Sequence, residues 1–262
     1  RVAALLHDLG HGPFSHVSET ILYRYCSPEI RQGIAGKSKI HEHITHKIIE
    51  FDPEIAKILD VPDDKQRIIG ILSGQSEEGI AREIISGPLD ADKQDYLLRD
   101  SYFCGVKYGI FDLERLVGTL CHHKDKDDVG LAASQDGEYA IEQFVIAKYH
   151  MTTQVYMHRV RLITDAMITR ALELGIEVDR LTWLKELYTY DGSEKYIENY
   201  LNWDDERLIT ELTQSAGGDG KGYATDMFRR LRTRNLFKRI YSENLREIRN
   251  PLLRDILSRI DK

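Results

Sequence analysis

The chain has 262 residues, of which 42% are hydrophobic, 30% charged and 9% aromatic. This composition is ordinary for a globular protein and excludes a disordered or collagen-like chain, and the length suffices for one or two domains with a sizeable core. The net charge of −7 argues against a broad electrostatic surface for nucleic acid. Three widely spaced cysteines fit free thiols in a reducing cytosol, so we expect a cytoplasmic protein without a membrane span.

An apolar helical run at the start of the chain leads into a His-Asp doublet, His7-Asp8. Gly10, Gly12 and Pro13 then end the helix, which places the doublet in its last turn. A carboxylate buried there needs a compensating charge, and a divalent cation would supply it. The alternative is that the two side chains only bond to each other and cap the helix. Because the chain begins inside this run without an initiator Met, we expect a segment before Arg1.

Helical periodicity dominates the remainder of the chain. Isoleucine and leucine recur at three- and four-residue steps between residues 44 and 120, the spacing of one buried helix face. The longest pattern runs from about Ile141 to Leu174 and meets Gly175 where a C-cap glycine belongs. Residues 129–141, with an Asp-Gly pair at 136–137, resemble a small β-hairpin.

Shorter helices are predicted after Gly175, over about 179–188, 193–200, 204–213, 223–240 and 242–259. The glycine-rich segment 215–222 lacks the GxxxxGK[ST] pattern, so it does not predict a phosphate-binding P-loop. The fold class is therefore mainly α. We expect residues 1–175 to form the catalytic core and residues 176–262 a C-terminal helical lobe.

Three segments in order carry a resemblance to one family. The segment HDLGHGPFSH, residues 7–16, resembles the HD-domain superfamily of metal-dependent phosphohydrolases. Residues 90–102, DADKQDYLLRDSY, are similar to the stretch with the last metal-ligating Asp in the branch that hydrolyses deoxynucleoside triphosphates. Residues 149–158, YHMTTQVYMH, resemble that branch's long substrate-lining helix. The branch includes bacterial dNTP triphosphohydrolases and the sterile-alpha-motif/HD-domain dNTPase of vertebrates, and the resemblance implies an HD-domain helical bundle.

The resemblance implies a metal centre made by His7, Asp8 and Asp92. This mixed set of imidazole and carboxylate ligands does not select among Mn, Mg, Fe, Ni and Zn. The family's fourth ligand is a His some tens of residues upstream of the doublet, a position before Arg1. Either a preceding segment supplies it or the protein has lost it, and the start inside a helix favours the first.

Further histidines of the active site follow from the same resemblance. It implies His16 near the α-phosphate and His11 and His41 in proton handling, since an imidazole that titrates near neutrality can move a proton or assist a leaving group. For His43 and His46 a structural role is favoured. His122 and His123 stand beside a charged run that is typical of a solvated loop.

The substrate contacts implied by the resemblance lie on two predicted helices. On the first, Lys93 contacts phosphate, Tyr96 walls the sugar pocket against a 2′-hydroxyl, and Asp100 accepts from the 3′-hydroxyl. All three can share one helix face. On the second, Tyr156 contacts base or sugar, and Lys148 stands where the vertebrate relative has an arginine. The charge is kept there, but the bidentate fork is lost.

One position differs from the vertebrate relative, and one pair of residues is expected to have no role in binding substrate. Met157 replaces a glutamine of the vertebrate relative and leaves the base preference open. Asp95 and Arg99, four positions apart on the first helix, are expected to pair with each other.

We therefore predict metal-dependent hydrolysis of deoxynucleoside triphosphates to deoxynucleoside and triphosphate. The predicted enzyme is a homo-oligomer in the cytoplasm with no membrane or nucleic-acid partner. Two alternatives stay open: an HD-type nucleoside monophosphate phosphohydrolase, and a non-catalytic nucleotide-binding regulatory protein. The motifs of guanosine-tetraphosphate hydrolases (His-Asp-x-x-Glu-Asp) and of HD-GYP phosphodiesterases are absent from this sequence.

Overall fold

The computed structural model describes residues 1–34, 40–59, 62–75, 79–125, 128–214 and 222–239. The first part of the chain forms short helices: α1 (Val2–Leu6), α2 (His16–Tyr25), α3 (Pro28–Gly33), α4 (Ile40–Phe51), α5 (Pro53–Ile58), α6 (Pro62–Ser73), α7 (Gly79–Ser86), α8 (Ala91–Phe103) and α9 (Leu113–Thr119). A two-stranded sheet of β1 (Leu120–Asp125) and β2 (Asp128–Ala133) follows.

The second part of the chain is again helical. A 3₁₀ turn (Gln135–Gly137) leads into α10 (Glu138–Met151), a π-helical segment (Thr152–Tyr156), α11 (Arg159–Glu177), α12 (Thr182–Tyr188), α13 (Glu194–Tyr200), α14 (Asp205–Gln214) and α15 (Tyr223–Arg232). The mainly α fold with a small β-hairpin is confirmed. None of these described helices is both long and apolar enough to cross a membrane.

The described residues form three hydrophobic cores around the site, of which the smallest packs α1 against α4 and α6. In the largest one, α2 and α4 pack against the helices α11 to α15 through fully buried side chains such as Ile21, Ile44 and Leu172. In the second, α8, α9 and α10 meet around Leu97 and Phe144. The residues 7–16 lie where α2 and α4 of the first core approach α8 of the second.

The hairpin differs from its prediction in the choice of partner strand. Residues 129–133 form a strand as expected, but this strand pairs antiparallel with the preceding residues 120–125, Leu120 opposite Ala133. The predicted partner, residues 138–141, begins α10 instead. The reason is the backbone of Gly137, whose φ of −88° is helical and caps α10, whereas a type I′ Asp-Gly turn requires positive φ. His122 and His123 are exposed, as expected.

The predicted continuous helix over 141–174 is interrupted, although it contains neither Pro nor Gly. A π-helical segment ends at Tyr156, and α11 starts again behind His158, whose Nδ1 accepts a hydrogen bond from the Val160 amide at 3.3 Å. Gly175 lies inside α11 rather than at its C-cap. A Cβ there would stand 2.6 Å from the Leu184 side chain, so this glycine permits the close approach of α12.

The shorter C-terminal helices agree with the prediction to within a few residues as far as α14. Helix α15 ends at Arg232 rather than near residue 240, and the predicted helix over 242–259 and most of the glycine-rich segment lie outside the described residues. Cys26 is buried, Cys104 and Cys121 are exposed, and all three are free, in agreement with the sequence.

Candidate active site

Three side chains from distant parts of the chain converge at the end of α1. His7 and Asp8 follow the last residue of α1, and Asp92 stands in the first turn of α8. His7 Nε2 lies 3.3 Å from Asp8 Oδ1 and 3.9 Å from Asp92 Oδ1. One ligand atom from each residue lies within 4.8 Å of the others. The structure thus brings together the three residues that the resemblance implies as metal ligands.

The surroundings of this group, which we call the metal centre, fit a divalent cation. His7 Nδ1 lies 2.9 Å from the Ala4 carbonyl oxygen, and since a carbonyl only accepts, Nδ1 carries the proton and Nε2 offers its lone pair to the carboxylates. Orientation of a ligating imidazole by a backbone carbonyl is a usual feature of metal sites. Burial and the neighbouring Asp8 carboxylate raise the pKa of Asp92. A cation would offset this repulsion between two carboxylates.

A second group of four residues, here called the imidazole cluster, consists of His11, His16, Glu19 and His41. Glu19, one turn after His16 on α2, is only 7% exposed. Its Oε2 lies 3.4 Å from His16 Nδ1, its Oε1 lies 3.7 Å from His11 Nδ1, and His41 Nδ1 from α4 contacts Oε1 directly. The His11 and His41 rings stack with centroids 4.1 Å apart. Three imidazoles therefore surround one buried carboxylate.

The cluster separates the proton affinities of its members. Burial by itself raises the pKa of Glu19, but contacts with His16 and His41 outweigh this and lower it to about 2. The contact with Glu19 raises the pKa of His16. Burial, and then the nearby His41 and His16, lower the pKa of His11 to about 4. At neutral pH His11 is therefore uncharged, while His16 is better suited to carry a proton.

The turn between the two groups is held by hydrogen bonds from distant residues. The Gly10 amide donates to Thr45 Oγ1 at 2.9 Å, and the Thr45 hydroxyl donates to the His7 carbonyl at 3.1 Å. From α13, the Tyr200 hydroxyl donates to the Gly10 carbonyl at 3.0 Å. A Cβ at Gly10 would stand 2.0 Å from the His41 carbonyl oxygen. Only glycine fits this position, and both polar groups of its backbone are satisfied.

The C-terminal helices also hold the following bend of the chain. Phe14 and Ser15 adopt positive φ angles of 62° and 45°, a conformation that is unfavourable for residues with a side chain. Asp205 Oδ1 accepts a hydrogen bond from the Phe14 amide at 2.7 Å, and the Phe14 ring packs against Phe228. The bend lies between His11 and His16, so contacts from α14 and α15 fix the relative position of these two imidazoles.

Several of these functional residues were not found from the sequence. Glu19 left a usable signal, since it is a charged residue one turn after His16 and next to the apolar Ile21 and Leu22 of the core face. Tyr200 and Asp205 left none, because their contacts join positions that are nearly two hundred residues apart along the chain.

The implied sugar-binding residues also lie together. Tyr156 of the π-helical segment donates a hydrogen bond from its hydroxyl to Asp100 Oδ2 at 2.8 Å. The rings of Tyr96 and Tyr156 meet edge to face with centroids 6.0 Å apart. Asp92, Tyr96 and Asp100 follow one another at single turns of α8, so one face of this helix carries a residue of the metal centre and the two sugar-binding candidates.

The two implied phosphate contacts differ in their surroundings. The Lys93 ammonium contacts the Asp90 carboxylate and donates to the Gly87 carbonyl at 3.1 Å, so binding a phosphate requires an exchange of partners. Lys148 lies half-buried in the last turn of α10. Asp95 and Arg99 form the expected exposed pair, with Arg99 Nη2 2.5 Å from Asp95 Oδ2.

His43 and His46 belong neither to the metal centre nor to the imidazole cluster. His43 Nδ1 lies 2.7 Å from the hydroxyl of the buried Tyr190, a contact that joins α4 to the C-terminal helices. Burial lowers the pKa of His46. Both residues also line a cavity of about 440 Å³ that reaches His7, Asp8 and His41.

Comparison with known proteins gives matches over almost the whole chain. Residues 1–97 match the HD domain family, and residues 111–261 match the HD-associated region. The chain is 32% identical to the uncharacterised protein MJ1154 of Methanocaldococcus jannaschii over 262 residues, which is 100% of this chain and 48% of that protein. It is 24% identical to the human deoxynucleoside triphosphate triphosphohydrolase SAMHD1 over 267 residues, covering 91% of this chain and 41% of that enzyme.

A solved structure is also similar. The crystal structure of a phosphohydrolase from Bacteroides thetaiotaomicron superposes with a TM-score of 0.68 at 26% sequence identity, covering 98% of this chain and 62% of that one. The chain spans about half the length of the curated relatives it matches over most of its sequence.

Proposed function

The chain belongs to the HD-domain family of phosphohydrolases, and we propose that it hydrolyses deoxynucleoside triphosphates to deoxynucleoside and triphosphate. The observation that carries the proposal is the convergence of His7, Asp8 and Asp92 beside three further imidazoles. The similarity to human SAMHD1, whose name specifies this reaction, supports the substrate class. A homo-oligomer in the cytoplasm belongs to the same proposal.

The reaction joins a water oxygen to the α-phosphorus and breaks the bond from that phosphorus to the 5′ oxygen of the sugar. His7, Asp8 and Asp92 would hold a divalent ion, which would supply Lewis-acid stabilisation of phosphate charge and lower the pKa of a bound water. The side chains do the remaining work of binding, orientation and proton transfer.

His16 is the group best placed to protonate the leaving 5′ oxygen. Its side chain is 69% exposed and lies at the open edge of the imidazole cluster, so a substrate can reach it. Glu19 holds it from the buried side and raises its pKa. The pKa of His11 is lowered to about 4, so its ring stays neutral and can accept a hydrogen bond, and His41 stacks on it and fixes its ring plane.

Selection of the sugar falls to α8 and the π-helical segment. The Tyr156 hydroxyl occupies one carboxylate oxygen of Asp100 and leaves the other as an acceptor for a 3′-hydroxyl. The Tyr96 ring, fixed edge to face against Tyr156, fills the space that a 2′-hydroxyl would need. This arrangement favours deoxyribose over ribose.

The test is a product assay on the full-length protein with each of the four deoxynucleoside triphosphates and with Mn²⁺, Mg²⁺, Fe²⁺, Ni²⁺ or Zn²⁺. We expect inorganic triphosphate and deoxynucleoside in equal amounts. Release of pyrophosphate would contradict the proposed bond cleavage. Hydrolysis of nucleoside monophosphates alone would identify a monophosphate phosphohydrolase, and nucleotide binding without any product would identify a regulatory protein.

A further inference from the structure

The imidazole cluster contains buried polar atoms that lie close together without good hydrogen-bond geometry. Glu19 Oε1, His11 Nδ1 and His41 Nδ1 are each buried, and in the described structure the two imidazole nitrogens contact the carboxylate oxygen as ion pairs without meeting hydrogen-bond geometry. Leaving such atoms without a good partner is unfavourable, because their lost hydration is not replaced. All three face the same point between α2, α4 and the turn at residue 11. A single bound group at that point would satisfy them together.

The donor set at this point is that of a transition-metal site. It contains three imidazole nitrogens and one carboxylate oxygen, all within 4.8 Å of one another. Around a tetrahedral zinc ion with ligands at about 2.0–2.1 Å, neighbouring ligand atoms are about 3.3–3.4 Å apart. Glu19 Oε2 lies 3.4 Å from His16 Nδ1 and Glu19 Oε1 lies 3.7 Å from His11 Nδ1, both close to this value, while His41 Nδ1 contacts Oε1 more closely. Small side-chain shifts would complete the geometry.

The cluster is also accessible from one side. His11, His41 and Glu19 form buried walls, while His16 lies at the surface edge-on to His11, with ring centroids 4.5 Å apart. An ion can therefore enter past His16 and meet preformed ligands behind it. Both a satisfied ligand set and an entry path are expected of a genuine metal site.

The metal centre differs from the cluster in its donor atoms. The metal centre offers one imidazole and two carboxylates, which suit harder ions such as Mg²⁺ and Mn²⁺, whereas imidazole-rich sites suit Zn²⁺, Ni²⁺ and Cu²⁺. The His11 ring separates the two, with Nε2 3.8 Å from Asp8 Oδ1 and Nδ1 facing Glu19. The two sites on either side of the His11 ring can thus bind different kinds of divalent ion.

We propose that His11, His16, Glu19 and His41 form a second divalent-cation site, separate from the metal centre, that takes Zn²⁺ or Ni²⁺ in preference to Mg²⁺. A consequence, which rests on the proposed function, is inhibition. An ion bound to these nitrogens occupies the lone pairs that proton transfer needs, so excess zinc stops turnover. Binding itself does not depend on the reaction.

The experiment measures zinc binding to the full-length, chelator-treated protein by equilibrium dialysis with elemental analysis. We expect the near-isosteric variant Glu19→Gln to bind one zinc ion fewer than the wild type, or to bind that ion at least tenfold more weakly. His16→Ala, whose side chain is mostly exposed, is the second variant in case Glu19→Gln does not fold. Asp92→Ala should keep this equivalent, and His150→Ala on the exposed side of α10 should bind zinc as the wild type does.

The outcomes separate the site from the reaction. Undiminished zinc binding by both Glu19→Gln and His16→Ala would overturn the second site. In the product assay with saturating Mn²⁺, added zinc should lower turnover at least tenfold, and a chelator should restore it. A protein that releases no product with any metal would overturn the proposed function, while the zinc equivalents of the variants would still decide the second site.

Discussion

The metal centre and the imidazole cluster lie side by side but are built in opposite ways. The metal centre combines one imidazole with two carboxylates, is partly open to solvent, and has its imidazole oriented by the Ala4 carbonyl. The imidazole cluster places three imidazoles around Glu19, which is almost completely buried. The first arrangement accumulates negative charge and attracts a cation. The second distributes protons among nitrogens of different pKa.

The difference shows how one short segment serves two chemical roles. His7 and His11 are a single turn apart, yet His7 faces Asp92 of α8 while His11 faces Glu19 of α2. Gly10 makes this divergence possible, because it is packed against α4 with no room for a side chain. Variants that affect one region and spare the other are therefore the sharpest tests.

The largest effect is expected from Asp8→Ala. This change removes a carboxylate from the metal centre, and loss of metal assistance is expected to lower kcat by about 10³-fold or more. The fold should be retained, since the Asp8 side chain is half exposed. Metal content and turnover are measured on the same preparation. Full activity of the variant would refute the metal role of Asp8.

His16→Ala and His41→Ala should affect the other region. Each is expected to lower kcat by about 10²-fold, the usual scale for lost acid–base assistance, while Mn²⁺ stays bound at the metal centre. The matched control is His122→Ala on the exposed strand β1, which should leave turnover unchanged. Loss of Mn²⁺ from either cluster variant would mean that the division between the two regions is wrong.

Asp100→Ala should act on binding of the sugar. Loss of a hydrogen bond to a charged group costs about 1.5–3 kcal/mol, which corresponds to about a tenfold to hundredfold rise in KM for dGTP. Binding of 2′,3′-dideoxy-GTP should change little, because it has no 3′-hydroxyl. An equal loss for both nucleotides would indicate that Asp100 only supports Tyr156, whose hydroxyl it accepts.

The smallest effect is expected from Tyr200→Phe, which removes the hydrogen bond to the Gly10 carbonyl. The free energy of unfolding at pH 8 should fall by about 1–3 kcal/mol, because the buried carbonyl is left unsatisfied. Urea unfolding measures this, with Tyr139→Phe on the exposed face of α10 as the unaffected control.

The difference in stability between the wild type and Tyr200→Phe should depend on pH. Burial raises the pKa of Tyr200 above its usual value of 10, so the hydroxyl keeps its proton in the folded state after it ionises in the unfolded chain. Its contribution to stability is present in full below pH 10 and is lost as the pH rises toward the folded pKa. Between pH 8 and pH 11, the free energy of unfolding of the wild type should therefore fall by about 1 kcal/mol more than that of Tyr200→Phe. A constant difference between pH 8 and pH 11 would contradict the assigned burial.

The sequence was informative wherever the pattern is local. The apolar spacing around Ile44 and Ile48 and the order of the C-terminal helices as far as α14 are properties of neighbouring residues, and the structure agrees with them. The doublet was expected in the last turn of a buried helix, but it follows the end of α1, and the Asp8 side chain is half exposed. Asp92 was connected to the doublet through resemblance to a family, since spacing along the chain contains no information about a contact of this range.

The features that the sequence predicted wrongly or missed depend on packing and on backbone conformation rather than on local pattern. The end of α10 and the restart at His158 depend on packing and on a histidine cap, and no Pro or Gly signals them. The pairing of residues 129–133 with the preceding strand depends on the helical backbone of Gly137. Tyr200 and Asp205 reach the active-site turn from helices that come last in the chain.

The most direct test of the division into two regions is an anomalous-scattering map from crystals of the full-length protein loaded with Mn²⁺. We expect one strong peak within about 2.0–2.3 Å of His7 Nε2 and of one carboxylate oxygen from each of Asp8 and Asp92. The absence of a peak there, or a peak only between His11, His16, Glu19 and His41, would contradict this division.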